Sequence, residues 1–557
     1  MTTSPRVTGA PGRAGATRRP APGGRPPARR RALRGAGLAT AAAFVTALLA
    51  APDATATTAA AGTTATATTA AAGTTATAAT ATAAAPTGSG PGTAALHWRA
   101  CPFPGAPEEL RCASIQVPVD YAHPEGPTTT VTVDRLPATG AHPVGSLFFD
   151  PGGPGGSGTR VVYAESLGSK VFSAATREHF DVIGLDPRGI GLSTPVRCDP
   201  ALLNRRVSLF PRDEAAFERL VTRNRELGES CRRLTGPLVD HVDTVSAARD
   251  LEALRRALGQ GRLNYLGLSY GSQLGATYAA LFPRHIRTLA LDGALDHSLR
   301  TTSLFRDEAH AYEDAFDRFA DWCAHTPSCA LHGTDVRRLL DTLVATADRT
   351  PLPAPQCAEA GDCRTTVTGE DIRFSLQNLL LFPARRANAA LALRQAADGD
   401  ASAFSPALAA GPADAVMNGS GIAVECLDWP TPVHTLAGLR RLRRLGEASA
   451  PRLGGASQSW TILTGCAGWP APVVNPPRPL RVRDAPPILI TNATHDPSTA
   501  YPWALGLHRR LASSVLVTRE GDGHTSYLAH GTSHTRDAID TYLLTGRTPA
   551  PGTVYDD

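Results

Sequence analysis

The chain has 557 residues, 42% of them hydrophobic, with 55 Lys+Arg against 50 Asp+Glu and a formal net charge of +5. Such a chain is long enough for a large core with an inserted or appended second domain, and its composition excludes a wholly disordered or a polytopic membrane protein. Nine of the basic residues, all arginine, lie in the first 50 positions, which hold no acid, so the remainder carries four more acids than bases. A nucleic-acid partner thereby loses its electrostatic support.

In chain order, Arg29-Arg30-Arg31-Ala32-Leu33-Arg34 precedes an apolar run from Gly35 to Ala51, and Ala54-Thr55-Ala56 offers a small-residue cleavage site. This is the pattern of a secretory signal peptide, expected over residues 1–53. The run is rich in Ala and Gly and short for a membrane anchor. Its paired arginines leave a twin-arginine route open, although the aromatic residue expected after them is missing. From Ala54 to Ala85 the chain is only Ala, Thr and two Gly, so residues 54–92 are expected to form a spacer or pro-segment. No later segment is apolar enough to span a membrane. The expected product is a secreted protein without stable membrane insertion.

Ten cysteines fall as near neighbours: Cys101/Cys112, Cys198/Cys231, Cys323/Cys329, Cys357/Cys363 and Cys426/Cys466. Sequence does not fix connectivity, but sequential pairing would close five short loops, as suits an oxidising compartment. Zinc is the alternative, and the wide spacing within Cys323/Cys329 and Cys357/Cys363, with no His at finger distance after them, speaks against it.

Apolar runs predict strands at Val144–Phe149, Phe180–Leu185, Arg262–Leu268 and Ile286–Leu291. A helix is predicted from an N-cap at Thr244, with Ala247, Leu251, Leu254 and Leu258 on one face, and another over Ser272–Leu281. Alternation of this kind implies an α/β fold with a mostly parallel sheet. From about Thr301 to Pro477 helical patterns dominate, such as Asp307–Cys323 and Asp335–Ala347, and strand patterns return at Pro487–Asn492 and Ser514–Thr518. One sheet interrupted by a largely helical lid is the economical reading, with core segments at 93–300 and 478–557 and the lid at 301–477.

Gly267-Leu-Ser269-Tyr-Gly271 matches the G-x-S-x-G nucleophile elbow and sits where the context requires, after an apolar strand and at the start of a helix. A serine hydroxyl needs a base, and the base needs an orienting acid. His524, after the strand Ser514–Thr518, and Asp496, after Pro487–Asn492, follow Ser269 in the order this chemistry uses. His495 is the rival base, and Asp296 and Asp522 are alternative acids. Asp150-Pro-Gly-Gly-Pro-Gly-Gly-Ser-Gly158 offers bare amides for an oxyanion, together with the amide of Tyr270. A phosphate-binding loop is the competing reading, but it lacks its lysine, Lys170 being the sole lysine in the chain.

Together, Gly152-Gly-Pro-Gly-Gly156, Asp186-x-Arg188-Gly-x-Gly-x-Ser193, Gly-Leu-Ser269-Tyr-Gly-Ser-Gln-Leu-Gly275, Asp496-Pro and Gly523-His524 resemble the secreted tripeptidyl aminopeptidases. These are α/β-hydrolase serine exopeptidases related to proline iminopeptidases. The resemblance spans roughly Leu96 to Tyr542. It implies the α/β-hydrolase fold, a triad of Ser269, Asp496 and His524, and oxyanion donors at Gly153 and Tyr270, with Gly152 as the alternative. Relatives often carry His before the glycine run, where this chain has Pro151, so any role of that His does not transfer. A free N-terminus calls for a carboxylate, and Glu425 and Asp428 in Ile422-Ala-Val-Glu425-Cys-Leu-Asp428-Trp resemble the family's Cys-x-Asp element. Exposed acids on a loop are the plainer reading of that pair. The expectation is a secreted exopeptidase acting on peptides with free N-termini, needing no metal or organic cofactor. A secreted esterase or lipase with the same triad, and a non-catalytic wall-associated binding protein, are the alternatives.

Overall fold

The computed structural model describes residues 96–556 except 410, 411 and 529–532, with side chains left undescribed at 412–418. The expected signal peptide and spacer lie outside the described residues. Ten strands form one sheet: β1 Arg99–Ala100, β2 Arg111–Pro118, β3 Thr128–Leu136, β4 Gly145–Asp150, β5 Phe180–Asp186, β6 Leu263–Leu268, β7 Ile286–Asp292, β8 Ile488–His495, β9 Ser514–Asp522 and β10 Val554–Asp556. Their order is β1-β2-β3-β5-β4-β6-β7-β8-β9-β10. The pairs from β1 to β5 in that order are antiparallel, and every other neighbouring pair is parallel. All six runs read as strands lie in this sheet. The antiparallel strands β2 and β3 and the terminal β10 extend it beyond that reading.

Strands β4 and β6 are apolar and buried along nearly their whole length because helices cover both faces of the sheet. On one face α2 (Thr244–Ala257) and α3 (Tyr270–Leu281) pack Leu251, Leu254, Leu274 and Tyr278 against Tyr265, Leu289 and Ile490. On the other, α1 (Gly158–Ser166) and a C-terminal helix, His534–Thr545, pack Val161, Val162, Ile539 and Tyr542 against Leu147, Phe149, Leu266 and Leu489. The N-cap of α2 is Asp243 rather than Thr244. The Asp243 carboxylate accepts from the Ser246 amide at 3.0 Å, which frees the Thr244 hydroxyl for longer-range partners. Arg188, from the Asp186-x-Arg-Gly motif, is fully buried and structural. Its guanidinium meets Asp250 of α2 at 2.6 and 2.7 Å and donates to the carbonyls of Pro118, Val119 and His241.

Between β7 and β8 the chain leaves the sheet for a helical insertion beginning with α4 (Thr301–His325). The insertion has its own apolar cluster, built on Phe305, Tyr312, Phe316, Leu340, Leu376 and Trp460, and Phe210 and Phe217 from ahead of the Ser269 strand pack into it. All ten cysteines pair sequentially, as Cys101–Cys112, Cys198–Cys231, Cys323–Cys329, Cys357–Cys363 and Cys426–Cys466. Zinc is thereby excluded at these positions. No helix among the described residues is long and apolar enough to cross a membrane.

Asp134 of β3 is wholly buried; one oxygen accepts from the Gly184 amide at 3.1 Å and the other has no partner. Burial, and then the charge of Asp186, hold its pKa well above the carboxylate range. A raised folded-state pKa favours folding only while the group is protonated, so this contribution is full below the unfolded pKa of about 4 and is lost as pH rises through the folded value. Asp134→Asn should therefore gain in stability relative to the wild type as pH rises from about 4 to neutrality. Urea denaturation at several pH values checks this, and a difference between the two proteins that does not change with pH would refute it.

Candidate active site

The parallel register sets the ends of five strands side by side. Asp150 lies opposite Gly267, Leu268 opposite Asp292, Asp292 opposite Thr491, and His495 opposite Asp522. Ser269 follows β6 directly and caps α3 with φ 57° and ψ −122°. That left-handed conformation costs a side-chain-bearing residue about 1–3 kcal/mol. Neighbours with no side chains make the turn feasible: a Cβ at Gly267 would strike the carbonyl of Gly271, and one at Gly271 would strike that of Asp150. The turn lifts Ser269 to the N-terminus of α3, where the helix dipole favours developing negative charge.

Asp496 follows β8. Its carboxylate accepts from the amides of Ser498 and Thr499 at 2.9 and 2.8 Å, from the Thr499 hydroxyl at 2.8 Å, and from His524 Nδ1 at 2.9 and 3.0 Å. Burial pushes the Asp496 pKa up, but His524 and these donors outweigh it and hold the carboxyl below its usual value. His524 is buried in turn. Burial disfavours the imidazolium, yet the Asp496 carboxylate, with smaller help from Asp292 and Glu308, leaves its pKa raised. With Nδ1 on the carboxylate, Nε2 carries the free lone pair, and this nitrogen has no hydrogen-bond partner. Ser269 and His524 are not hydrogen-bonded to each other, a looseness common in ligand-free sites.

The rival residues are committed elsewhere. His495 Nδ1 pairs with Asp314 at 2.8 Å, Asp522 is clamped by Arg318 and Arg386, and Asp296 lies 3.6 Å from Arg510. Of the glycine run, the Gly152 amide donates to Asp150 Oδ1 at 2.8 Å and is spent. Gly153 and Tyr270 line a cavity of about 40 Å³ with Ser269.

The insertion roofs that cavity, and its acids differ sharply. Asp428 ends α5 (Pro412–Asp428) and is wholly buried. Its oxygens accept from the Thr244 amide and hydroxyl, Gln273 Nε2 at 2.8 Å and Asn475 Nδ2 at 3.0 Å. Glu425, one turn earlier, is partly buried, and its carboxylate has no hydrogen bond or ion pair among the described residues. Burial, reinforced by the charge of Glu308, raises its pKa to about 8. Neither acid is exposed on a loop. Glu308 of α4 is a third carboxylate on the cavity, accepting from the Ser459 amide at 2.7 Å and from its hydroxyl. Sequence reading passed over it, although an acid in the stripe Leu304, Glu308, Tyr312 is a buried acid by helical spacing. Leu304, Val424, Trp429, Ile462 and Trp503 supply apolar wall.

A tripeptidyl aminopeptidase of Streptomyces lividans is 32% identical over 463 residues, covering 80% of this chain and 83% of the relative. The chain belongs to the tripeptidyl aminopeptidase family. A family model described as TAP-like protein matches residues 451–555, the stretch that carries Asp496 and His524. Serine protease Hip1 of Mycobacterium tuberculosis is 29% identical over 479 residues, 82% of this chain and 90% of that protein. Carboxylesterase B of the same species is 31% identical over 457 residues, 79% and 85% of the two chains. As a member of the family, the protein has the α/β-hydrolase fold described above, with its helical insertion.

Removing the Asp496 charge takes away the main force that raises the His524 pKa and leaves the burial that lowers it. In Asp496→Asn the His524 imidazole should therefore titrate at lower pH than in the wild type. An NMR titration of its ring resonances reads this directly, and an unchanged midpoint would show that Asp496 does not set the charge on His524.

Proposed function

We propose that this protein is a secreted serine exopeptidase that removes short peptides from free N-termini, with Ser269 as nucleophile, His524 as base and then acid, and Asp496 as orienting acid. The observation that carries this reading is the buried pairing of His524 Nδ1 with Asp496 at 2.9 Å, on the same sheet edge as a serine held in a strained turn. In the acylation step Ser269 Oγ attacks the scissile carbonyl while His524 Nε2 takes its proton. The amides of Gly153 and Tyr270 receive the oxyanion, since that of Gly152 is spent on Asp150. His524 then protonates the departing amine, and water releases the acyl group by the same steps in reverse. Five disulfides support an oxidising destination.

Glu425 is the proposed seat of the substrate ammonium, with Glu308 beside it. Asp428 instead serves as scaffold, because its acceptors are already filled by Thr244, Gln273 and Asn475. A carboxyl with a pKa near 8 is largely protonated at neutral pH, so an arriving ammonium must displace its proton. Peptide binding at neutral pH should thus release a proton, seen as a buffer-dependent binding enthalpy with the Ser269→Ala variant. Glu425→Gln should raise KM for free peptides by about 10–100-fold while kcat changes far less, the value of a charge-assisted hydrogen bond.

One relative is named carboxylesterase B, so activity on esters is the reading to test against. The assay compares free and N-acetylated mono-, di- and tripeptide anilides and simple esters, using the wild type and Ser269→Ala. The proposal expects cleavage of free-amine peptides and a loss of about 10³-fold or more in Ser269→Ala. Equal rates on acetylated peptides or plain esters would refute the exopeptidase reading, and activity surviving in Ser269→Ala would refute the mechanism.

A further inference from the structure

The loop that carries His524 is gripped by a buried anion and a buried cation, neither of which belongs to the triad. Asp292, at the end of β7, is wholly buried. Its carboxylate accepts from the amides of Ser526 (2.8 and 3.0 Å) and Tyr527 (2.7 Å), just past His524, and from the Thr491 hydroxyl at 2.8 Å on the strand that leads to Asp496. Its backbone carbonyl accepts from the Ser269 amide at 2.9 Å. One residue thus touches the backbone of the nucleophile, the strand of the acid and the loop of the histidine.

Arg519, on β9, is 3% exposed. Its guanidinium donates to the carbonyls of Asp522 (3.0 Å), Gly523 (2.9 Å) and Thr525 (3.5 Å) and to Ser526 Oγ (3.2 Å). A buried guanidinium is costly unless its donors are met, and here four hydrogen bonds go to the five residues from Asp522 to Ser526. An apolar residue would fill the space more cheaply, so packing does not account for an arginine. The planar fork of donors does, because it can hold successive carbonyls of a tight loop at fixed spacing.

We propose that Asp292 and Arg519 are positioning residues that fix His524 for proton transfer, Asp292 by binding the amides of its loop and Arg519 by binding the carbonyls. The proposal rests on the serine mechanism above. Charged groups facing His524 are Asp496 at the end of β8, Asp292 at the end of β7 and, from the insertion, Glu308 on α4; the insertion also supplies the Leu381 carbonyl, which takes the His524 amide at 2.7 Å. Asp292 therefore acts on the imidazole charge as well as on the loop.

The test uses the full chain and its Arg519→Met, Arg519→Lys, Asp292→Asn and Ser269→Ala variants, with a free-amine tripeptide anilide as substrate and near-ultraviolet circular dichroism to establish folding. Arg519→Met should lose about 100-fold in kcat with KM nearly unchanged, the scale of an ångström of misplacement at a reacting group. Arg519→Lys keeps the charge without the fork and should recover about tenfold of that loss. Asp292→Asn should lower kcat and move the acidic limb of the kcat/KM profile to lower pH, because an anion beside the imidazolium is gone. A merely structural role would lower thermal stability while leaving kcat and that limb in place. Folded variants with kcat within about threefold of wild type and an unmoved limb would overturn the proposal. Should Arg519→Met fail to fold, Arg519→Lys and Asp292→Asn decide by the same criteria. Activity retained in Ser269→Ala overturns the serine mechanism instead, a result separate from either of these.

Discussion

The parallel register of β4, β6, β7, β8 and β9 is the constraint on which the rest depends. Parallel neighbours end at the same edge, so the residues that follow each strand are brought together without any contact designed for the purpose. Asp150, Leu268, Asp292 and Thr491 share that edge through matched pairs, and the glycine run, Ser269, Asp496 and His524 follow from it. A slip of one residue in any pair would exchange the side chains that pack against the two helical layers as well as displace the loop. The same hydrophobic burial that stabilises the sheet therefore sets the spacing of the candidate site.

What distinguishes one buried carboxylate from another here is the number of donors each receives. Asp496 collects amides, a hydroxyl and an imidazole and stays ionised. Glu425 receives none among the described residues, and burial drives it toward the neutral form. Asp428 lies between them, fully bonded yet with a pKa pushed up to about 7, first by burial and then by the charge of Asp243. Three acids thus differ in charge state through the donors that surround them, which reach Asp496 partly from its own turn and Asp428 from distant stretches of chain.

Much of this was legible in advance where a local pattern had a single cause. An apolar run followed by a G-x-S-x-G turn and a helix admits few structures, and the strands at Leu263–Leu268 and Ile286–Asp292 lie where the runs predict them. Sequential cysteine pairing was legible because short loops are easily closed. β3 was not legible: its Thr/Val alternation reaches Asp134, a charged residue at a fully buried position, which hides the strand's two-faced pattern. The difference in surroundings between Glu425 and Asp428 was equally hidden, since it depends on Thr244, Gln273 and Asn475 arriving from distant stretches. Glu308 was recoverable in principle, and only its place in an apolar stripe gave it away.

The cavity beside Ser269 measures about 40 Å³, room for about three water molecules at roughly 10–15 Å³ each. Pockets that enclose organic ligands run to ~300–1,000 Å³. The roof of this cavity meets the core through polar contacts and through Phe210 and Phe217, which pack into the insertion's apolar cluster. Arg318 and Arg386 grip Asp522, and Asp314 holds His495. Each disulfide joins residues no more than 40 apart in sequence, so no long-range covalent tie fastens the roof to the sheet. The seam between insertion and sheet is therefore noncovalent apart from the two crossings of the chain itself, and its strength depends on burial and charge.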